Sequence, residues 1–270
     1  MEEQEFERPA GLAFFEVVNG LDAVCEKKTE EKLPHLGQKI PAAYEALGTV
    51  LSLMDGMGSC WWGCKHGDHV VEYLCGRLSS SGRAAIRLLK LGYYDESLIV
   101  IRSIGEISNL FCLFSAEPSA LSDWKTLSEQ QRITAFGPGP VRKRVANYDK
   151  ILPINKSHYA KLCGVAAHAN PDTKPQAHNF LGMPTTGGRY QEAGLAVCLN
   201  ELSYAMAFAT LYSVDLIDVP KDVKKAALHA SLDLMKSVGG ATLTAIDEWY
   251  DEAKAQFWKS QKDDVGAGEP

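Results

Sequence analysis

The stretch SLIVIRSIGEISNLFCLF, residues 97–114, decides the fold. Apolar side chains fall on nearly every face of a 3.6-residue repeat, and no alternation of period two competes with it. A helix that is apolar all round belongs at the centre of a domain. Three polar residues interrupt it: Arg102, Glu106 and Asn109, at i, i+4 and i+7, in a line on one face. Gly105 beside them lets a backbone or a ligand approach closely. Burying an unpaired charge costs several kcal/mol. Arg102 and Glu106 can pair, yet replacing a buried ion pair by apolar residues is often neutral or stabilising. The stripe is therefore better evidence for a site than for stability. The competing reading is a structural network tying central helices together.

Outward from this helix the pattern stays helical. The first segment is predicted over 13–28, with Phe14, Phe15, Val17, Val18, Leu21 and Val24 as its apolar positions. A second starts near Pro41 and ends at Gly56 or Gly58. The next runs from Asp68, read as its N-cap, to Leu91, with Gly92 just past its end. Tyr94–Ala116 follows after so short a link that the two are expected to form an antiparallel hairpin. Further helices are expected over 119–136, 141–150, 155–167 and 190–215, with GPGP at 137–140 as a break and one or two helices over 219–260. Residues 261–270 read as a disordered tail. The reading is all-α: one helical domain over 1–260, a bundle with long antiparallel central helices and its core at about 66–215.

Composition narrows the function classes. The chain has 270 residues, 46% hydrophobic, with a net charge of −6, which argues against a protein that coats nucleic acid over its whole surface. The acidic start MEEQEFERPAG lacks a basic region followed by an apolar run, so no signal peptide is expected. The run Leu202–Val214 is short for a bilayer, and a cytoplasmic protein without a membrane partner is the expectation. Seven cysteines, an odd number, argue against a disulfide framework. Cys75, Cys112, Cys163 and Cys198 read as buried thiols.

A second candidate region is YAKLCGVAAHANP, 159–171, whose helix ends at His168 and opens a long loop holding His178 and Arg189. Upstream, Arg142, Lys143, Arg144, Lys150, Lys156 and Lys161 face a single acid, Asp149, a local reversal of the chain's charge that could form a phosphate-facing surface. A solvated helix face is the bland alternative. On the helix after Asp68, the positions His69, Glu72 and Arg77 are candidate binding residues lining a polar pocket, or else solvent-facing charges.

A third is SCWWGCKHGDH, 59–69, in which Cys60, Cys64, His66 and His69 give C-x3-C-x-H-x2-H. These are zinc ligand types, but structural zinc usually joins two separated pairs. Four ligands in ten residues are expected to staple little, so packed cysteines and tryptophans anchoring a turn are the favoured reading here, with no cofactor.

The helix with IRSIGEISNLFCLF, followed by YAKLCGVAAHANP, resembles bacterial helical domains of uncharacterised function related to the HEPN superfamily. The resemblance covers about 66–215. It implies a helical bundle, frequent dimerisation, and often metal-independent RNase activity in toxin–antitoxin and anti-phage defence systems. The usual HEPN active motif is an arginine and a histidine separated by four to six residues on one helix. Here the positions at that distance before His168 hold Lys161, Leu162 and Cys163, so the arginine is missing. If the protein is an RNase, the resemblance implies His168 as acid or base, Arg102 stabilising the developing charge, and Glu106 orienting Arg102, with Asn109 beside them. A non-catalytic module binding a small ligand or a partner protein is the alternative, and a zinc protein built on 59–69 a second one. No nucleophile elbow, P-loop or dinucleotide fingerprint is present.

Overall fold

The computed structural model describes residues 8–64, 68–168 and 186–238. Every regular element among them is helical: α1 Leu12–Lys32, a 3-10 turn Leu33–His35, α2 Lys39–Gly58, α3 Val70–Lys90, α4 Tyr94–Ala116, α5 Pro118–Thr126, α6 Glu129–Phe136, α7 Pro138–Val145, α8 Lys156–Leu162, α9 Glu192–Leu216 and α10 Lys221–Val238. A π-helical turn, Cys163–Ala167, continues α8. The loop holding His178, the helices expected beyond 238 and the tail 261–270 lie outside the described residues.

The centre is α9, which packs on α4, α10, α2 and α3. Its sequence leaves no polar face, so every side must be covered; Leu195, Leu199, Leu202 and Met206 are fully buried. Each such side chain contributes about 1.5–3 kcal/mol by leaving water. The α4–α9 seam is fixed by small and polar groups. Ser108 Oγ lies 3.0 Å from the carbonyls of Ile104 and Ala205. The Tyr94 ring fills the space above Gly194, and its hydroxyl accepts from the Gln191 N–H at 2.9 Å, which fixes the start of α9. The hydrophobic core draws on residues from Ala43 to Leu234, so α2 and α10 belong to it as fully as the central helices.

The expected stop of α3 at Gly92 is present. Tyr93 N–H donates to the Leu88 carbonyl and Gly92 N–H to that of Leu89, the paired bonds of a Schellman turn, with Gly92 at φ 79°. Helix α4 starts at once, and Ser97 Oγ donates to the Ala85 carbonyl of α3 at 3.1 Å.

Several expectations change. The helix expected over 119–136 is two, because Ser128 forms a capping box with Gln131 and starts α6 afresh. GPGP does not merely break a helix. Gly137 ends α6 and caps α7, whose first position is Pro138, where the missing N–H is no loss. Asp68 is not the N-cap of α3. His69 holds that position, while Asp68 accepts from Val70 N at 3.4 Å and pairs with Lys125. The apolar positions of α1 lie outside the core: Phe14, Phe15, Val17, Leu21 and Val24 are all exposed, and α1 is held to α3 by Glu26 with Lys90 and Arg87, and by Thr29 donating to the Lys90 carbonyl. Both α4 and α9 are long and apolar enough to cross a membrane by length and composition, but their most apolar windows are 67% and 83% buried against the rest of the protein.

Candidate functional site

The polar stripe of α4 divides into two parts with different surroundings. Asn109 is buried and binds the backbone of Ile154 from both sides: its Nδ2 donates to the carbonyl and its Oδ1 accepts from the N–H, each at 2.9 Å. That strap holds the segment leading into α8 against α4. Gly105, one turn earlier, leaves room for the Ile154 side chain, whose Cδ1 a Cβ would meet at 1.8 Å. Gly105 therefore admits the chain's own backbone segment.

Arg102, two turns before Asn109, faces the other end of α8. Its Nη1 lies 3.5 Å from the Tyr159 hydroxyl and 3.4 Å from Cys163 Sγ, and its Nη2 lies 3.7 Å from Glu106. Asn155 caps α8 by accepting from His158 N, and this sets the register that aims Tyr159 at α4. The Tyr159 ring takes a second cation: Arg142 of α7 stacks over it at 4.9 Å, Arg102 at 5.5 Å. Burial, then the Glu106 carboxylate, push the Tyr159 phenol up to about 12. The Cys163 sulfur, ahead of Glu106, raises the Arg102 guanidinium against the opposing cost of burial, so Arg102 stays charged. Arg102 Nε and Arg142 Nη1 are both buried and have no hydrogen-bond partner among the described residues. Two guanidinium groups thus share one ring, each with a buried N–H that has no partner among the described residues.

The other predicted residues disperse. Arg144 forms a fork with Glu117, at 3.3 and 2.6 Å, and covers Phe136; Lys143 is exposed. Lys161 is half-buried one turn before the π turn. His168 is exposed and closes that turn by donating its N–H to the Cys163 carbonyl at 2.9 Å. It is thus tied by backbone to the residue whose sulfur touches Arg102. Arg77 is exposed on α3. Glu72 is buried, but in a different place from the stripe. It borders a small cavity with Met57, Cys60, Trp62 and Val219, which shares no residue with the Arg102 group.

Two features escaped the sequence reading. Tyr159, a single tyrosine on a short helix, carried no signal. His158 and Glu201 form a buried pair at 2.5 Å, with side chains 12% and 3% exposed. Glu201 had a signal: it is the lone charge between Glu192 and Asp215 in an otherwise apolar helix. The logic that picked out Arg102 applies equally there.

The corner between α2 and α3 also departs from expectation. Trp61 is 78% exposed, while the outer edge of the Trp62 ring packs against Gly56. Cys60 is half-buried and Cys64 exposed, so they are not packed core thiols; Cys75, Cys112, Cys163 and Cys198 are buried as expected. Cys60 Sγ is 3.6 Å from His69 Nδ1, and Cys64 Sγ is 3.1 Å from His69 Nε2. Desolvation, then the Glu72 charge, raise the Cys60 thiol. His66 lies outside the described residues. No family model, curated protein or solved structure matches the chain significantly.

Proposed function

We propose that the Arg102–Tyr159–Arg142 pocket binds a phosphate of single-stranded RNA, within a bundle of the HEPN kind whose central helices α3 and α4 run antiparallel. The observation that carries the reading is the pair of guanidinium groups on Tyr159, each keeping a buried N–H without a partner among the described residues. Phosphate oxygens would satisfy both, and an exposed base could stack near the same ring. Glu106 positions Arg102 as the RNase reading requires. The Ser97–Ala85 bond across the Gly92 turn supports the antiparallel hairpin. A cytoplasmic homodimer is part of the proposal: the covered faces of α4 and α9 fit helices packed inside a domain, and the exposed apolar residues of α1 fit a contact between copies.

In the catalytic form of this reading His168 removes the 2′-hydroxyl proton while Arg102 stabilises the charge that develops on the phosphate. A non-catalytic binding module is favoured by one observation: the side chains that meet Arg102 from this segment are Tyr159 and Cys163. The test is binding and cleavage of short single-stranded RNAs by wild type, Arg102→Met and His168→Ala. Catalysis predicts that His168→Ala binds normally and cleaves at least a hundredfold more slowly, on the order of a lost general base. Binding without cleavage in all three leaves the module. RNA that binds neither at low salt nor differently to Arg102→Met ends both forms.

A further inference from the structure

The corner between α2 and α3 joins unusual backbone to a cluster of ligand-type side chains among the described residues. Gly58 at the end of α2 lies directly on the backbone of Gly76, where an added Cβ would sit 2.5 Å from the Gly76 nitrogen, so the two helices touch there without side chains between them. The connecting segment must then turn within a few residues. Trp61 N–H donates to the Gly56 carbonyl at 3.0 Å, and the Trp62 ring covers Gly56. Cys60 at φ 53° and His69 at φ 40° are the two non-glycine residues at positive φ among the described residues. Left-handed backbone at a cysteine and a histidine is unfavourable and persists where something else fixes it.

Both strained residues aim their side chains at one point. The ligand atoms of Cys60, Cys64 and His69 all lie within 4.8 Å of one another. His69 Nδ1 is 3.6 Å from Cys60 Sγ and 4.0 Å from Cys64 Sγ. A tetrahedral zinc with ordinary bond lengths sets a sulfur about 3.6 Å from a nitrogen and about 3.8 Å from a second sulfur. Glu72, one turn into α3 from His69, is 8% exposed and borders the same cavity as Cys60. A carboxylate beside two thiols and an imidazole offers a fourth ligand of a type zinc accepts.

We infer that Cys60 Sγ, Cys64 Sγ and His69 Nδ1 bind one zinc ion, with Glu72 closing the fourth position directly or through a water. Binding releases the two thiol protons to solvent and leaves two thiolates on the metal. The close spacing of the ligands is no obstacle. Cys60 and Cys64 extend the end of α2, and His69 is the residue before α3, so a local ligand set spans a contact between two core helices. The metal would fix the angle at which they meet. This site is independent of the phosphate pocket.

The test uses the full chain, expressed without a histidine tag. Wild type is expected to hold about one zinc per chain. Cobalt replacing it should give the intense visible bands of a tetrahedral site and a thiolate charge-transfer band. Cys60→Ser with Cys64→Ser, and His69→Ala, should lose the metal, whereas Cys25→Ser should keep it. Chelation should lower the thermal midpoint of wild type and not that of the double serine variant. Because those variants could fold poorly, cobalt titration of metal-free wild type decides by itself. No charge-transfer band there, or zinc retained by the folded double serine variant, overturns the proposal.

Discussion

Arg102 and Asn109 share one face of α4, two turns apart, and the structure treats them differently. Asn109 is buried with its donor and acceptor both satisfied by the Ile154 backbone. Arg102 is partly buried, and its Nε has no partner among the described residues. The His158–Glu201 pair belongs with Asn109, a buried carboxylate met by a half-buried imidazole. A buried polar group with its bonds complete is part of the scaffold; one with bonds left over is prepared for something else. Sequence position cannot tell these apart, because both kinds interrupt an apolar helix at the same spacing.

Substitutions can break or sharpen this contrast. The largest effect is expected at the closed pair. Glu201→Ala leaves a buried imidazole facing a cavity and should cost about 3–5 kcal/mol in urea unfolding. A loss below about 1 kcal/mol would remove His158–Glu201 from the scaffold class. Asn109→Ala should come next, at about 2–4 kcal/mol, since it strands the N–H and carbonyl of a buried residue. Arg102→Met should change stability by less than about 1 kcal/mol in either direction, while weakening phosphate or RNA binding at least tenfold, the cost of one charge-assisted bond, on the order of 1.5–3 kcal/mol. Destabilisation as large as that of Asn109→Ala would make Arg102 a scaffold residue too.

The smallest effect is electrostatic. The Arg144 hydrogen bond, ahead of its charge, holds the Glu117 carboxyl below the usual carboxylate range. A carboxyl lowered in the folded state adds stability above its unfolded value, near 4.3, and loses it as pH falls through the folded value. With both side chains 26% exposed, the pair is worth under about 1 kcal/mol. Glu117→Gln should therefore lower stability slightly at pH 7 and behave as wild type once pH has fallen through the folded value, as followed by thermal midpoint against pH.

The all-α class was legible because apolar period fixes helices strongly, as in 97–114, and the Gly92 stop was legible because only a left-handed residue fits a Schellman turn. The fate of the α1 stripe was not, since periodicity marks an apolar face without saying what covers it. The stripe at 102, 106 and 109 was legible as a line but not as two sites, because the partners come from Tyr159 and Ile154, more than forty residues away. The basic run 142–144 divided for the same reason: consecutive helical residues point about 100° apart, so Arg142 meets Tyr159 and Arg144 meets Glu117. Cys60, Cys64 and His69 were visible as ligand types. Their spacing looked too short to staple anything until Gly58 and Gly76 brought the two helices into contact there.

The central claim is that the two guanidinium groups on Tyr159 are a phosphate site. Its most direct test is the salt dependence of single-stranded RNA affinity for wild type, Arg102→Met, Arg142→Met and the double variant. The account predicts that log K falls linearly with log salt in wild type, and that each substitution makes the slope shallower by about 0.7. The double variant should be shallower by about twice that. An unchanged slope in the folded double variant would contradict it.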